Sequence, residues 1–282
     1  MKKSEIIVNA LEYIREFRGK VFVVKLGGEV MLDERIIASV AQDLIFLHIV
    51  GIKPVVVHGG GGEISHTMDK LGKAPVFVEG LRKTDKETMD IVEMVLTGKV
   101  NTQIVSQINK HNGHAVGLSG KSGRLFEARK TNQKVDIGFV GEITKVNPHI
   151  LETQLQNGYI PVVSPVGLAK SGESLNINAD TAASKLAQAM NASKLIILTN
   201  VRGVLDKDSR LIKRLTLAEA VKTAKSKTVK GGMKPKIKAC IEAINGGVNR
   251  THIVKANTHA VLEEILTKKG TGTLITKNKI KD

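Results

Sequence analysis

Short apolar runs alternate along the chain with stretches whose apolar positions recur every three to four residues. Residues 21–26, 53–57, 115–118, 159–163, 195–199 and 251–254 are rich enough in Val, Ile and Leu to predict buried strands. Between them, residues 33–50, 64–71, 86–95, 100–110, 148–156, 179–190, 217–224 and 236–244 carry the helical period. Gly51 and Gly72 stand just past two of these segments, where a left-handed terminal residue costs little. Residues 124–128 and 139–146 predict a β-hairpin set. The alternation of strand and helix predicts an α/β fold: a mostly parallel sheet with helices on both faces.

Two segments stand apart from this alternation. Residues 4–17 form a helix ahead of the first strand, with Ile6, Ile7, Ala10, Leu11, Ile14 and Phe17 on one face. An apolar stripe there is expected to pack on another subunit. Residues 225–234 have no period and predict a mobile loop.

Composition narrows the class. No apolar run approaches the ~20 residues of a membrane span, and the N-terminal segment has no apolar signal core, so a cytosolic protein is expected. The single cysteine, Cys240, excludes an internal disulfide and a cysteine-cluster metal site. Its apolar-periodic surroundings predict a buried small hydrophobe. The net charge of +16 raises nucleic acid as a partner. Two features weigh against it: the lysines are spread over the whole chain, and six Phe, two Tyr and no Trp leave few platforms for base stacking. A basic surface that draws anionic substrates fits better.

Candidate chemistry gathers where strands hand over to helices. Lys25 ends the first strand and is followed by Gly27 and Gly28, where backbone N–H groups and a point charge can meet phosphate. There is no G-x-x-x-x-G-K-[ST] loop. The second strand ends in His58 and four glycines, Gly59, Gly60, Gly61 and Gly62, before a helix: an anion cradle that packing does not demand. His58 itself reads as structural. Arg82 offers a planar fork suited to a carboxylate, with Thr84 as a helix cap. Asn176 and Asp180 lie at the start of another helix. Gly231 and Gly232 precede a helix whose first turn holds Lys236, where the helix dipole disfavours a cation unless an anion compensates. Turns of this kind gather at the carboxyl edge of an open α/β sheet. Lysines and backbone amides without a nucleophile suit phosphoryl transfer.

At these residues the chain resembles the amino acid kinase family, and within it the branch acting on N-acetyl-L-glutamate. The resemblance runs from about Ala10 to Thr276 and rests on Lys25-Leu26-Gly27-Gly28, His58-Gly59-Gly60-Gly61, Gly80-Leu81-Arg82-Lys83-Thr84-Asp85, Val116 to Lys121, Gly138 to Glu142, Asn176 to Asp180 and Gly231 to Lys236. It implies a three-layer αβα sandwich, mostly parallel, formed by residues 20–282 behind an N-terminal helix at 1–19. Residues 20–175 would bind the amino acid and 176–282 would bind ATP, with Mg²⁺ as cofactor. Lys25 and Lys236 would be catalytic, with Asp180 holding them. Gly60, Gly61, Arg82 and Asn176 would bind N-acetyl-L-glutamate. Gly27, Gly28, Thr199, Asn200, Gly203 and Gly232 would face the nucleotide. The product would be an acyl phosphate on the way to arginine.

The resemblance further implies a homo-oligomer, dimers joined into a hexamer through residues 4–17, with L-arginine as feedback inhibitor and residues 263–272 completing its site. Gly62 departs from a frequent proline, Asn200 from a frequent aspartate and Lys255 from an acidic residue. Two alternatives stay open: a kinase of carrier-protein-bound aminoadipate or glutamate, and a catalytically silent arginine sensor.

Overall fold

The computed structural model describes residues 3–28, 30, 33–133, 135–226, 228–229, 231–267 and 270–279, without the side chains of 3–7 and 9. The strands, in chain order, are β1 (Val21–Leu26), β2 (Lys53–His58), β3 (Phe77–Val78), β4 (Leu81–Arg82), β5 (Ala115–Ser119), β6 (Phe126–Lys130), β7 (Val140–Val146), β8 (Ile160–Ser164), β9 (Val166–Ala169), β10 (Ser174–Ile177), β11 (Lys194–Thr199), β12 (Arg214–Thr216), β13 (Arg250–Lys255) and β14 (Thr273–Thr276). Eight of them form one sheet in the order β12-β14-β13-β11-β1-β2-β8-β5. Neighbours from β13 to β5 run parallel, and only β14 turns antiparallel, against β13. The mostly parallel α/β architecture is therefore as expected.

Burial on both faces explains the unbroken apolar strands. Along β1, Phe22, Val24 and Leu26 join one core with Leu44 and Leu47 of α2 (Glu34–Ile49) and Met68 of α3 (Gly61–Lys70). Val23 points the other way, into a second core with Ile197 of β11, Ala183 of α7 (Ala179–Ala189) and Cys240 of α9 (Met233–Asn245). Lys25 shares the pleat side of Val23, because side chains alternate with period two. That parity sends a lysine toward α7. Cys240 is fully buried, as its apolar surroundings predict.

Several elements differ from expectation. The hairpin of β6 and β7 is half of a four-stranded closed barrel, β10-β7-β6-β9. Its other two strands have only four residues each and left too little period to read. Asn176 thus sits in β10 rather than at a helix start, and Asn178 caps α7 by accepting from the N–H groups of Asp180 and Thr181. The two helices predicted at 86–95 and 100–110 are one continuous rod. Helix α4 (Lys86–Glu93) passes through a π-helical stretch, Met94–Val100, into α5 (Asn101–Lys110). Asp85, not Thr84, caps α4; the Thr84 hydroxyl is buried and donates to the Arg82 carbonyl.

The N-terminal helix α1 (Lys3–Phe17) packs its last turn on its own core, which corrects the expectation of a purely inter-subunit face. Phe17 is buried and meets Phe22 edge-on at 5.2 Å. Val8 and Leu11 are exposed, while Ile6 and Ile7 lie outside the described side chains. The predicted loop 225–234 contains residues 227 and 230, which also lie outside the described ones.

Candidate functional site

Two clefts open at the carboxyl ends of β1, β2 and β11. The larger, about 470 Å³, lies between the glycine turns after β1 and β2 and the start of α9, with Thr199, Asn200, Gly232 and Lys236 in its wall. The smaller, about 230 Å³, lies between α3, the β3–β4 hairpin and the start of α7, with Ile64, Phe77, Arg82, Leu96 and Asn176 around it. Both clefts contain Lys25, Gly28 and Gly61 in their walls, so they meet at those three residues.

The charge at the junction is tightly arranged. Lys25 Nζ lies 2.8 Å from Asp180 Oδ1, and both side chains are 6% exposed. Lys236 Nζ lies 3.4 Å from Asp180 Oδ2 and donates to the Gly232 carbonyl at 3.2 Å. Lys236 is in the first turn of α9, so Asp180 supplies part of the anion that a cation at that position calls for. Burial works to neutralise Asp180, but the two ammonium groups win and hold its carboxyl below the usual range. Burial lowers the pKa of Lys25, with the Asp180 carboxylate opposing it. One carboxylate between two lysines leaves a net positive centre, which is what a polyphosphate seeks.

Glycine geometry supplies the donors. A Cβ at Gly28 would lie 3.1 Å from the Gly61 nitrogen and 3.4 Å from that of Gly60, so these two backbones touch only because Gly28 has no side chain. Gly60 and Gly61 open α3, whose first N–H groups have no intrahelical acceptor, and their nitrogens stand beside Gly28 at the junction.

Arg82 is buried in the wall of the smaller cleft. Its Nη2 donates to the Gly61 carbonyl at 2.9 Å and to Ser65 Oγ at 2.8 Å, and its plane lies over the Phe77 ring at 4.8 Å. Asn176 donates to Thr84 Oγ1 at 3.2 Å in the same cleft. Of the residues singled out by sequence, Lys25, Asp180, Lys236, Gly27, Gly28, Gly60, Gly61, Arg82, Asn176, Thr199, Asn200 and Gly232 converge here. Gly203 is not in either wall: at φ 145°, its missing Cβ leaves room for Thr273 Oγ1. Sequence reasoning missed Ile64, Leu96 and Pro165, whose apolar side chains give no signal apart from core positions. Among the described residues there is no group of three or more His, Cys, Asp or Glu able to hold a metal ion, and no helix long and apolar enough to cross a membrane.

The amino acid kinase family model matches residues 20–255. The acetylglutamate kinase of Methanocaldococcus jannaschii is 48% identical, over 99% of this chain and 97% of its own. That of Caldanaerobacter subterraneus is 50% identical, over 98% of this chain and 93% of its own. Among solved structures, N-acetylglutamate synthase from Neisseria gonorrhoeae, complexed with coenzyme A and N-acetyl-glutamate, superposes with a TM-score of 0.89 at 26% identity; the match covers 99% of this chain and 65% of that one. Carbamate kinase from Giardia lamblia, at a TM-score of 0.67 and 18% identity, shares the fold over 92% of this chain and 99% of its own.

Proposed function

Because this chain belongs to the amino acid kinase family, we propose that it transfers the γ-phosphoryl group of ATP to the side-chain carboxylate of N-acetyl-L-glutamate. The single observation that carries the mechanism is the meeting of two clefts at Lys25, Gly28 and Gly61. ATP occupies the larger cleft and the acetylated amino acid the smaller, so the γ-phosphorus and the acceptor oxygen face each other across the glycines. The side-chain carboxylate of the substrate is already ionised at neutral pH, with an ordinary pKa of about 4.3, so no general base is needed. One carboxylate oxygen bonds to the γ-phosphorus as the bond to the β,γ-bridging oxygen breaks, giving an acyl phosphate and ADP.

The residues then have distinct tasks. Lys25 and Lys236 stabilise charge spreading over the transferring oxygens, from the two sides set by Asp180. Gly28, Gly60 and Gly61 offer N–H groups, Gly27, Thr199, Asn200 and Gly232 line the nucleotide side, and Arg82 and Asn176 hold the acetylglutamate. Residues 20–175, with Asn176 and the start of α7, serve the acceptor, and the rest of 176–282 serves ATP. Among the described residues the walls of the two clefts hold no carboxylate, and Asp180 beside them is engaged by both lysines. Mg²⁺ therefore comes in on the nucleotide phosphates, as it does in sites without an all-protein cage. A cytosolic location goes with this biosynthetic role.

Arginine regulation belongs to the same proposal. Behind α1, three groups adjoin one another: buried His252, whose Nδ1 lies 2.8 Å from Glu264 Oε1; buried Lys194, with Nζ over the Phe17 ring at 4.4 Å; and half-buried Arg250, 3.6 Å from Glu16. His252 Nε2 is buried without a hydrogen-bond partner. A carboxylate, a lysine and an unpaired ring nitrogen at one place suit a zwitterion, and α1 closes over them, which links arginine to assembly through that helix. Residues 268 and 269 of the predicted arginine segment lie outside the described ones.

A coupled ADP-release assay tests the substrate. Turnover with N-acetylglutamate should exceed that with glutamate, aspartate and carrier-bound aminoadipate; a preference for the carrier-bound acid would overturn the assignment.

A further inference from the structure

Consecutive glycines lose much conformational freedom on ordering, so the cradle needs something to hold its peptide planes. The last residue of β2, His58, is fully buried beside it. The ring Nδ1 lies 2.9 Å from the Gly59 carbonyl oxygen, and Nε2 lies 3.1 Å from Asn101 Nδ2. The Asn101 amide nitrogen also faces the Val162 carbonyl at 2.9 Å and, further off, the Leu118 carbonyl at 3.4 Å, so acceptors surround it and the network fixes its orientation. An NH₂ group can only donate to Nε2. The ring hydrogen therefore sits on Nδ1 and is donated to Gly59 O.

That donation has a geometric consequence. In a trans peptide the N–H points opposite to the C=O, so fixing the Gly59 carbonyl toward His58 turns the Gly60 N–H away from it, toward Gly28 and the junction of the clefts. We propose that His58 is a positioning residue whose Nδ1–H tautomer, selected by Asn101, aims the Gly60 N–H at the reacting oxygen. The proposal rests on the kinase assignment above.

The π-helical stretch ties this to the fold. Asn101 follows directly after Met94–Val100 and is buried under the sheet. From the same stretch Leu96 fills the space beside Gly60, where a Cβ would come within 2.5 Å of it. The segment thus touches the cradle twice, through Leu96 directly and through Asn101 and His58, which accounts for a π-helix at this point in the rod. Burial, with Lys25 nearby, pushes the His58 pKa down to about 4, so the ring keeps one neutral form at working pH.

Two substitutions separate the ring's two contacts. Asparagine at 58 sets an amide N–H where Nδ1 was; glutamine sets an amide oxygen where Nε2 was and loses the donor to Gly59. H58N should keep kcat within about threefold of the wild type. H58Q should lower kcat by about tenfold or more, less than deleting an oxyanion donor outright, with KM for both substrates changed by less than about threefold. A folded H58Q with wild-type kcat, or equal losses in the two variants, overturns the proposal. ¹⁵N NMR of histidine-labelled wild type checks it independently of either variant's folding. The His58 ring should show a protonated Nδ1 that does not titrate between about pH 5.5 and about pH 8.5; an Nε2–H tautomer or a titration in that window overturns it. Failure of the kinase assignment looks different: the wild type would not turn over N-acetylglutamate at all.

Discussion

Lys25 and Asp180 form an ion pair of 2.8 Å in which both side chains are 6% exposed. A carboxylate so placed does two jobs, because it favours the charged form of a buried lysine against its desolvation and holds a second lysine within 3.4 Å. Replacing it with asparagine leaves buried ammonium charge uncompensated, which destabilises by about 3–5 kcal/mol. Asp180→Asn should therefore lower both the urea midpoint and kcat, the latter by at least about 10²-fold. The pH dependence has a definite sign. The folded pKa of Asp180 is depressed, so its contribution is present above the unfolded value of about 3.9 and fades as pH falls through the lower folded value. The stability advantage of the wild type over Asp180→Asn should shrink in that acid window, as paired urea titrations would record.

The two lysines should prove kinetic rather than binding residues. In the proposed transfer each meets charge that grows as the phosphoryl group moves, so Lys25→Ala and Lys236→Ala should each cost about 10²–10³-fold in kcat, with smaller changes in KM. Steady-state kinetics with both substrates varied would decide; near-wild-type kcat in either variant contradicts the role.

Gly28 offers a purely steric test. Its φ is not in the left-handed region, so alanine fits the backbone, but the added methyl would stand 3.1 Å from the Gly61 nitrogen. Gly28→Ala should fold with a Tm close to wild type and lose kcat by at least about 10²-fold, since the methyl covers donors aimed at the transferring group. Thermal unfolding beside ADP release would separate the two effects.

Arg82→Lys keeps the charge and loses the fork that now spans the Gly61 carbonyl and Ser65 Oγ. KM for N-acetylglutamate should rise about tenfold, roughly 1.4 kcal/mol, while KM for ATP stays within about twofold. Equal changes in both would place Arg82 outside the acceptor cleft.

Much of this site is legible in the sequence for physical reasons. Lys25, the glycine runs and Lys236 break rules of burial, entropy and helix dipole, and such violations mark function. Elements without a period are not legible. Strand β9 and strand β10 have four residues each, and the π-helical turn hides inside what reads as two ordinary helices. Gly203 is expected to face the nucleotide through the family resemblance alone; its φ of 145° and its approach to Thr273, which need the structure to be seen, show a backbone requirement for glycine there. His58 read as structural for want of its partner: Asn101 lies 43 positions away.

In the proposed regulation, the N-terminal helix links assembly to control. Deleting residues 1–18 removes Phe17 from the core beneath Lys194 and exposes the cluster around His252. The truncated protein should be smaller in solution, by light scattering, and should lose inhibition by arginine while still turning over N-acetylglutamate. A truncated protein that stays hexameric and arginine-sensitive would refute the link between helix, assembly and inhibitor.

The central claim is that a carboxylate oxygen takes the γ-phosphoryl group at the junction of the two clefts. Hydroxylamine trapping measures that product directly, because an acyl phosphate yields a hydroxamate and a simple ATPase does not. With ATP, Mg²⁺ and N-acetylglutamate, wild-type protein should form hydroxamate and ADP in equal amounts, and Lys236→Ala should lose both together. ADP released without hydroxamate, or no ADP at all, would contradict the account.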